Sequence, residues 1–457
     1  MLYGWVNKDD TTLAMGDSDW EEATYYMGSW EDGALKTGWQ KISVYDEDED
    51  DDMDYWFNFK SNGEKRVNTK SDKDILEKKI NGKYYGFDER GVMTYEWTAA
   101  STNDLTTISN WRYFNSPEDG ARSTKGWFKV VAPDADGDDN TFKDYGTGST
   151  FAKGDAEDEN ERWYYADSDG ELYVGQIKKI KGKYYGFAPE GNKAGSMLTG
   201  LCALTVDKDG NIVKLWDRDM DSDSLDDALK GEGDFKDFGK SSFDTLYYFG
   251  NNEDGDGALK TGNVTINLDG DSYQFQFSKT GGAEGKGRGV NGIDDGKYIY
   301  KFGQKIKAGS DDKYIVVYAD GDTGSTGVNV HKIDTATLRS DYSASIGQNK
   351  DGDSVNYVGT LGELASGKLT SNYYLVNTSG AIVKNKTAAK DGNDWYFYVD
   401  EKVIKMYTNN NTLNDSKDYP NANLTALKKN WDNTKYVVNN GKTVPTTPND
   451  DLIDDGI

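Results

Sequence analysis

At 457 residues the chain has length for several domains, yet only 35% of it is hydrophobic while 13% is aromatic, with 31 Tyr and 12 Trp beside 52 Gly and 6 Pro. That supply argues against large Leu- and Ala-filled helical cores and points to many short strands and turns, an all-β chain. The formal charge of −27, from 80 acidic and 53 basic side chains, repels phosphate backbones and anionic membrane surfaces, so nucleic acid is not an expected partner.

The opening MLYGWVNKDD has neither the basic nor the apolar region of a signal peptide, and no apolar run reaches the roughly 18 residues of a transmembrane helix. Membrane insertion is not expected. Gly4-Trp5 already reads as the middle of a repeat, which predicts a processed or truncated piece of a longer secreted protein. Downstream, one grammar recurs: an aromatic strand, a turn carrying Asp, Asn or Gly, and a second short strand. GKYYGF stands at 82–87 and again at 182–187. Related copies open at Tyr25-Tyr26, Tyr55-Trp56-Phe57, Trp111 to Phe114, Trp163-Tyr164-Tyr165, Tyr247 to Phe249, Tyr273 to Phe277, Tyr298 to Phe302, Tyr373-Tyr374 and Trp395 to Tyr398.

Each copy predicts a hairpin. A lone hairpin is marginal in water, so stacking on its neighbours is needed to cover its aromatic face, and the expected object is an elongated β-solenoid. Tyr164 and Tyr184 stand twenty residues apart, whereas Tyr25 and Tyr55 stand thirty apart. The longer steps are explained by acidic loop insertions, such as 46–54 and 133–161, which closure entropy tolerates because it grows only logarithmically. The run Asp46 to Asp52 (DEDEDDD) reads as a solvated loop.

Residues 202–244 depart from the grammar and read as a partly helical insertion. SLDDALKGEGDFKDFG begins there as a helix capped by Ser222 or Ser224, and an extra hairpin turns at Asp209-Gly210. The predicted organisation is a hairpin solenoid over 1–201, the insertion over 202–244, a divergent hairpin solenoid over 245–407, and a C-terminal segment, 408–457, ending in a disordered acidic tail.

The order aromatic pair, polar residues, Gly, then Gly-Trp resembles the cell-wall-binding repeats of Gram-positive bacteria, of the choline-binding and glucan-binding type. It is also similar to the carbohydrate-binding repeats of clostridial toxins. YYMGSWEDGALKTGWQKI (25–42), RYFNSPEDGARSTKGWFKV (112–130) and INGKYYGFDERGVM (80–93) carry the resemblance. In choline-binding members a ligand sits between consecutive hairpins, walled by the Trp of Gly-Trp and the leading aromatic of the next strand, through cation–π attraction of about 0.5–2 kcal/mol per contact.

Carried onto this chain, the resemblance makes candidate walls of Trp39 with Tyr55 or Trp56, and of Trp127 with Trp163, with Trp5 beside Trp20 or Tyr25 as a further pair. Tyr85 and Tyr185, from the repeated GKYYGF, complete the candidate ligand-binding set; their alternative role is core packing. Where Gly-Trp is expected, the chain has Gly175-Gln176, Gly200-Leu201 and Gly262-Asn263 instead, so most cages lack a wall.

Metal chemistry finds little footing. Asp217, Asp219, Asp221 and Asp223 alternate, but position six is Ser222 and position twelve is Ala228, which departs from the EF-hand pattern; Asp134, Asp136 and Asp138 fail the same way, with Tyr145 at position twelve. No cofactor is expected beyond incidental Ca2+. A single cysteine, Cys202, excludes an internal disulfide and reads as a buried small hydrophobe, and one histidine, His331, leaves no catalytic triad.

The expected function is therefore non-enzymatic. The chain reads as a secreted surface-attachment protein of a Gram-positive cell wall, binding a wall polymer such as choline-bearing teichoic acid, or a glycan, through aromatic clefts between hairpins. A structural stalk or self-assembling surface fibre, whose partner is another copy of itself, is the alternative.

Overall fold

The computed structural model describes residues 2–7, 19–47, 49–70, 75–100, 107–131, 161–190, 193–250, 256–281, 285–348, 352–365, 368–411 and 444–454. Asp134, Asp136, Asp138 and Tyr145 lie outside the described residues. The described chain is mostly β-strand in small antiparallel sheets, with few and short helices. It divides into two compact units, residues 1–198 with 210–213, and residues 199–209 with 214–457.

The first unit is a succession of two-stranded hairpins. They pair β1 (Trp5–Val6) with β2 (Tyr25–Tyr26), β3 (Gly38–Asp46) with β4 (Asp51–Phe59), β5 (Lys78–Ile80) with β6 (Lys83–Tyr85), and β7 (Glu96–Ala99) with β8 (Trp111–Phe114). The last two pairs are β9 (Gly126–Val131) with β10 (Glu161–Ala166), and β11 (Gln176–Ile180) with β12 (Lys183–Phe187). The third and sixth hairpins turn at Asn81-Gly82 and Lys181-Gly182, each with positive φ at both central residues, the tight turn that matches strand twist.

After its aromatic strand the chain makes a second turn, headed by Asp88, Asn115 and Asp167 in the third, fourth and fifth hairpins and by Lys60 and Ala188 in the second and sixth. Asp88 Oδ1 accepts from Val92 N at 2.8 Å and Asp167 Oδ1 from Glu171 N at 2.9 Å. The chain then returns to bridge its own hairpin: Lys65 to Phe59, Met93 to Phe87, Arg122 to Phe114, Leu172 to Ala166, Met197 to Phe187. Four of these return residues also stitch their hairpin to the preceding one. Lys65 N donates to Thr24 O, Met93 N to Trp56 O, Arg122 N to Tyr84 O and Met197 N to Trp163 O, each at 2.8 Å. The aromatic faces close over one another at these joints, with Phe57, Phe59, Phe87, Phe114 and Phe187 fully buried.

The acidic run 46–52 is not wholly a solvated loop. Asp46 is buried at the end of β3, where it accepts from Tyr55 Oη at 2.6 Å and from Arg90 at 2.9 Å, and β4 already begins at Asp51. A buried carboxylate persists because both partners satisfy it.

The second unit builds wider sheets. Strands 201–206 and 244–248, with residues 214–217, form a three-stranded sheet; 262–268, 271–277, 292–294, 298–301 and 304–305 form a five-stranded one. A four-stranded sheet contains 314–319, 330–333, 373–377 and 453–454, and a second five-stranded sheet contains 344–348, 354–358, 386–390, 396–400 and 403–408. Strands such as YIVVYA (314–319) are apolar on both faces and are buried almost throughout, so they sit inside a sheet instead of forming a bare hairpin.

Residues 202–244 share a core with the next strands of the second unit: Ala203, Leu225, Leu229 and Phe235 pack with Leu246, Phe275 and Phe277. A short helix, α1 (Asp19–Glu22), lies in the first unit; in the second, α2 (Ser222–Lys230) is capped by Asp221, which accepts from Ser224 N, not by Ser222 or Ser224. Cys202 is fully buried, and burial pushes its thiol up to about 12.

The tail departs from expectation. Residues 444–454 fall in the segment read as disordered, yet Val444 and Leu452 are buried in the core around Val316, Phe397 and Tyr407. Ile453 pairs with Ile333 and Asp454 with Lys332. One buried Leu plus a strand edge in need of partners outweighs the acidic composition of the tail.

Candidate functional site

In the second hairpin, Trp39 stands opposite Asn58 and Lys41 opposite Trp56, so the two indoles are diagonal neighbours on one face. The third hairpin meets that face with Tyr85 and, two residues on, Phe87. The rings form a corner: Trp39 lies 6.4 Å from Trp56 at 83°, 4.8 Å from Tyr85 at 63°, and 5.7 Å from Phe87 at 30°. Trp39, Trp56 and Tyr85 are half-buried while Phe87 is fully buried, which makes three walls and a floor.

The same object recurs one hundred residues further along. Trp127 stands opposite Tyr165 and Lys129 opposite Trp163, and β12 supplies Tyr185 and Phe187. Trp127 lies 6.4 Å from Trp163 at 86°, 4.8 Å from Tyr185 at 68°, and 5.7 Å from Phe187 at 24°. The match extends to the stitch, since Met93 N reaches Trp56 O and Met197 N reaches Trp163 O. The two differ at the indole nitrogens. Trp56 Nε1 donates to Glu118 Oε2 at 3.1 Å, and Glu118 also pairs with Lys41 at 2.7 Å, whereas Trp163 Nε1 has no hydrogen-bond partner among the described residues. The Lys41 hydrogen bond holds the Glu118 carboxyl below its ordinary value.

Of the sequence-predicted residues, Trp39, Trp56 and Tyr85 come together at one joint and Trp127, Trp163 and Tyr185 at another. Tyr55 does not join them. Side chains alternate along a strand, so Tyr55 faces the opposite way from Trp56 and packs 6.1 Å from Trp20. Its burial and its bond to Asp46 hold the phenol far above its ordinary pKa. Phe87 and Phe187 went unnoticed as floors, although the repeated GKYYGF contains both.

Other joints are filled. At the fourth and fifth hairpins Trp97, Trp111 and Tyr164 are all buried, with Trp97 5.1 Å from Tyr164. Between the third and fourth, Leu76 and Phe87 exchange backbone hydrogen bonds, which sets Glu77 at the place matching Trp39. There Glu77 pairs with Arg122, whose guanidinium lies 4.4 Å from the Tyr84 ring. At the first joint Trp5 lies 4.9 Å from Tyr26 and 6.5 Å from Trp20, and the Lys65 ammonium stands among these rings. Among the described residues no group of three or more His, Cys, Asp or Glu is arranged to hold a metal ion, and no helix is long and apolar enough to cross a membrane.

No family model matches the chain, and no curated protein matches it. Among solved structures, it is similar to CbpF in complex with ipratropium at 17% identity and a TM-score of 0.38, over 88% of this chain and 93% of that one. Choline binding protein F from Streptococcus pneumoniae, in another crystal form, gives 18% identity and 0.33, over 84% and 92%. CbpJ from Streptococcus pneumoniae TIGR4 gives 14% and 0.30, over 80% and 100%. The chain resembles the choline-binding repeat family.

Proposed function

We propose that this chain is a non-enzymatic surface-attachment protein that holds choline groups of a wall polymer in two aromatic cages, Trp39–Trp56–Tyr85 and Trp127–Trp163–Tyr185. The observation that carries this reading is the recurrence of one four-ring geometry at two joints whose walls stay partly open, while Trp97, Trp111 and Tyr164 are buried at another joint and Lys65 or Arg122 covers ring faces at two more. Ring faces attract a quaternary ammonium by about 0.5–2 kcal/mol per contact, and a chain of −27 draws cations toward it. Stacking of hairpin on hairpin within residues 1–198 supports the solenoid form for that unit, and the attachment role implies a secreted protein at a Gram-positive surface.

The test is tryptophan fluorescence titrated with choline, teichoic acid and soluble glucans, alongside retention on immobilised choline. The wild-type chain gives a saturable response to choline and to choline-bearing teichoic acid, and free choline elutes it from the support. The double variant Trp39→Ala/Trp127→Ala loses both. A response to glucan alone would make the cages sugar platforms. No response to any ligand, with assembly that grows with concentration in light scattering, would favour the stalk or fibre reading.

A further inference from the structure

The first inter-hairpin joint contains a cation already, and it belongs to the chain. Lys65 is buried, 4% exposed, and its Nζ lies 5.2 Å from the Trp5 ring, 5.9 Å from Trp20 and 5.8 Å from Phe57. Two of its protons go to main-chain carbonyls, Trp20 O at 2.8 Å and Glu21 O at 2.9 Å. Three ring faces and two carbonyl oxygens make a receptor for a primary ammonium, and the ammonium is delivered on a tether.

The position is shared along the first unit. Lys65 is a return residue, the place held by Met93 and Met197 at the two open cages and by Arg122 at the joint where a guanidinium covers Tyr84. Thus a neutral thioether accompanies each open cage, and a cationic side chain accompanies each of two joints where rings are covered. Burial lowers Lys65 to about 7 while Asp88 and Glu21 act the other way, and the ring faces add to their side.

We propose that Lys65 is a built-in ligand, its ammonium filling the Trp5–Trp20–Phe57 cage as a free primary alkylammonium would, so that this joint is closed to outside ligands. Lys65 thereby fastens α1 to the second hairpin. The count of two open cages rests on the function proposed above; the plug itself does not, and its first test uses no choline.

Lys65→Ala removes the three terminal methylenes and the ammonium, and n-propylammonium has the size and charge to replace them. At about pH 6, where the amine is protonated, n-propylammonium in excess is expected to raise the Tm of Lys65→Ala by about 3 °C or more while leaving wild type unchanged. Neutral n-propanol and tetramethylammonium, which lack the charge or the donors, should give no such rise. An equal response to n-propanol, or a variant no more responsive than wild type, overturns the proposal.

Should Lys65→Ala fail to fold by circular dichroism, the wild-type protein still decides the matter. Ring currents should move the Lys65 ε-methylene protons upfield in NMR spectra, and choline at saturation should not displace them. Signals at ordinary lysine positions, or displacement by choline, overturn the proposal. A wild type that binds no choline sinks the two-cage function and leaves the lysine plug standing.

Discussion

Tyr185→Leu isolates the chemistry of one cage from its packing. The ring of Tyr185 meets Trp127 at 4.8 Å and is half-buried, and Leu keeps apolar volume there while removing the ring face. Loss of one cation–π wall is worth about 1 kcal/mol, near fivefold in affinity. Loss of the edge-to-face pair costs the first unit about 1 kcal/mol, or roughly 2–4 °C in Tm. The other cage is untouched, because Tyr85 with Trp39 belongs to a different joint. Calorimetric titration with choline should therefore show two like equivalents in wild type and one strong plus one weakened equivalent in the variant. The mirror variant Tyr85→Leu should give the same isotherm. A neutral carbon analogue, 3,3-dimethylbutanol, should bind more weakly at both sites. Equal weakening of both equivalents, no weakening, or equal binding of the neutral analogue would refute the two-cage reasoning.

Tyr55→Phe removes the donor to buried Asp46 and should destabilise the first unit by about 1–3 kcal/mol in denaturant melts, with choline binding unchanged because Tyr55 lies off the cage. Leu452→Ala should cost the second unit about 2–5 kcal/mol, since that side chain is fully buried in the core; a tail that melts independently would leave Tm unmoved. Burial raises the Asp217 carboxyl above its ordinary value, so the folded state holds that proton more tightly and stability falls as pH climbs past the ordinary carboxylate range. Asp217→Asn should accordingly raise Tm near pH 7 and change it little near pH 3, where both side chains are neutral.

Much of the first unit is legible because its grammar is local. The aromatic run, the Asn-Gly or Lys-Gly turn and the repeated GKYYGF each dictate backbone geometry within a few residues, while Trp39, Trp56, Trp127 and Trp163 are singled out by the resemblance of the Gly-Trp order to choline-binding repeats. Choosing between Tyr55 and Trp56 needed the register of β3 on β4, since period-two alternation sends neighbours to opposite faces. Lys65 was hidden for another reason. The loop from a hairpin's last aromatic to its return residue varies, from Phe59 to Lys65 in one copy and from Phe187 to Met197 in another, so the shared position has no fixed spacing. In the second unit, strands with apolar residues on both faces find partners distant in sequence, as 314–319 does with 373–377, and the alternating pattern that marks a hairpin is absent.

The stitch between hairpins is made by a backbone N–H, a group nearly every amino acid possesses. Lys65, Met93, Arg122 and Met197 all make it, so at these four joints the bond tolerates side chains as different as an ammonium, a thioether and a guanidinium. At the first joint, on the proposal above, exchanging Lys65 for a neutral residue would vacate the cage without redrawing the path of the chain. Capacity for ligand and continuity of the ladder become separately inherited traits, which allows such a protein to gain or retire receptors one joint at a time while its architecture stays constant.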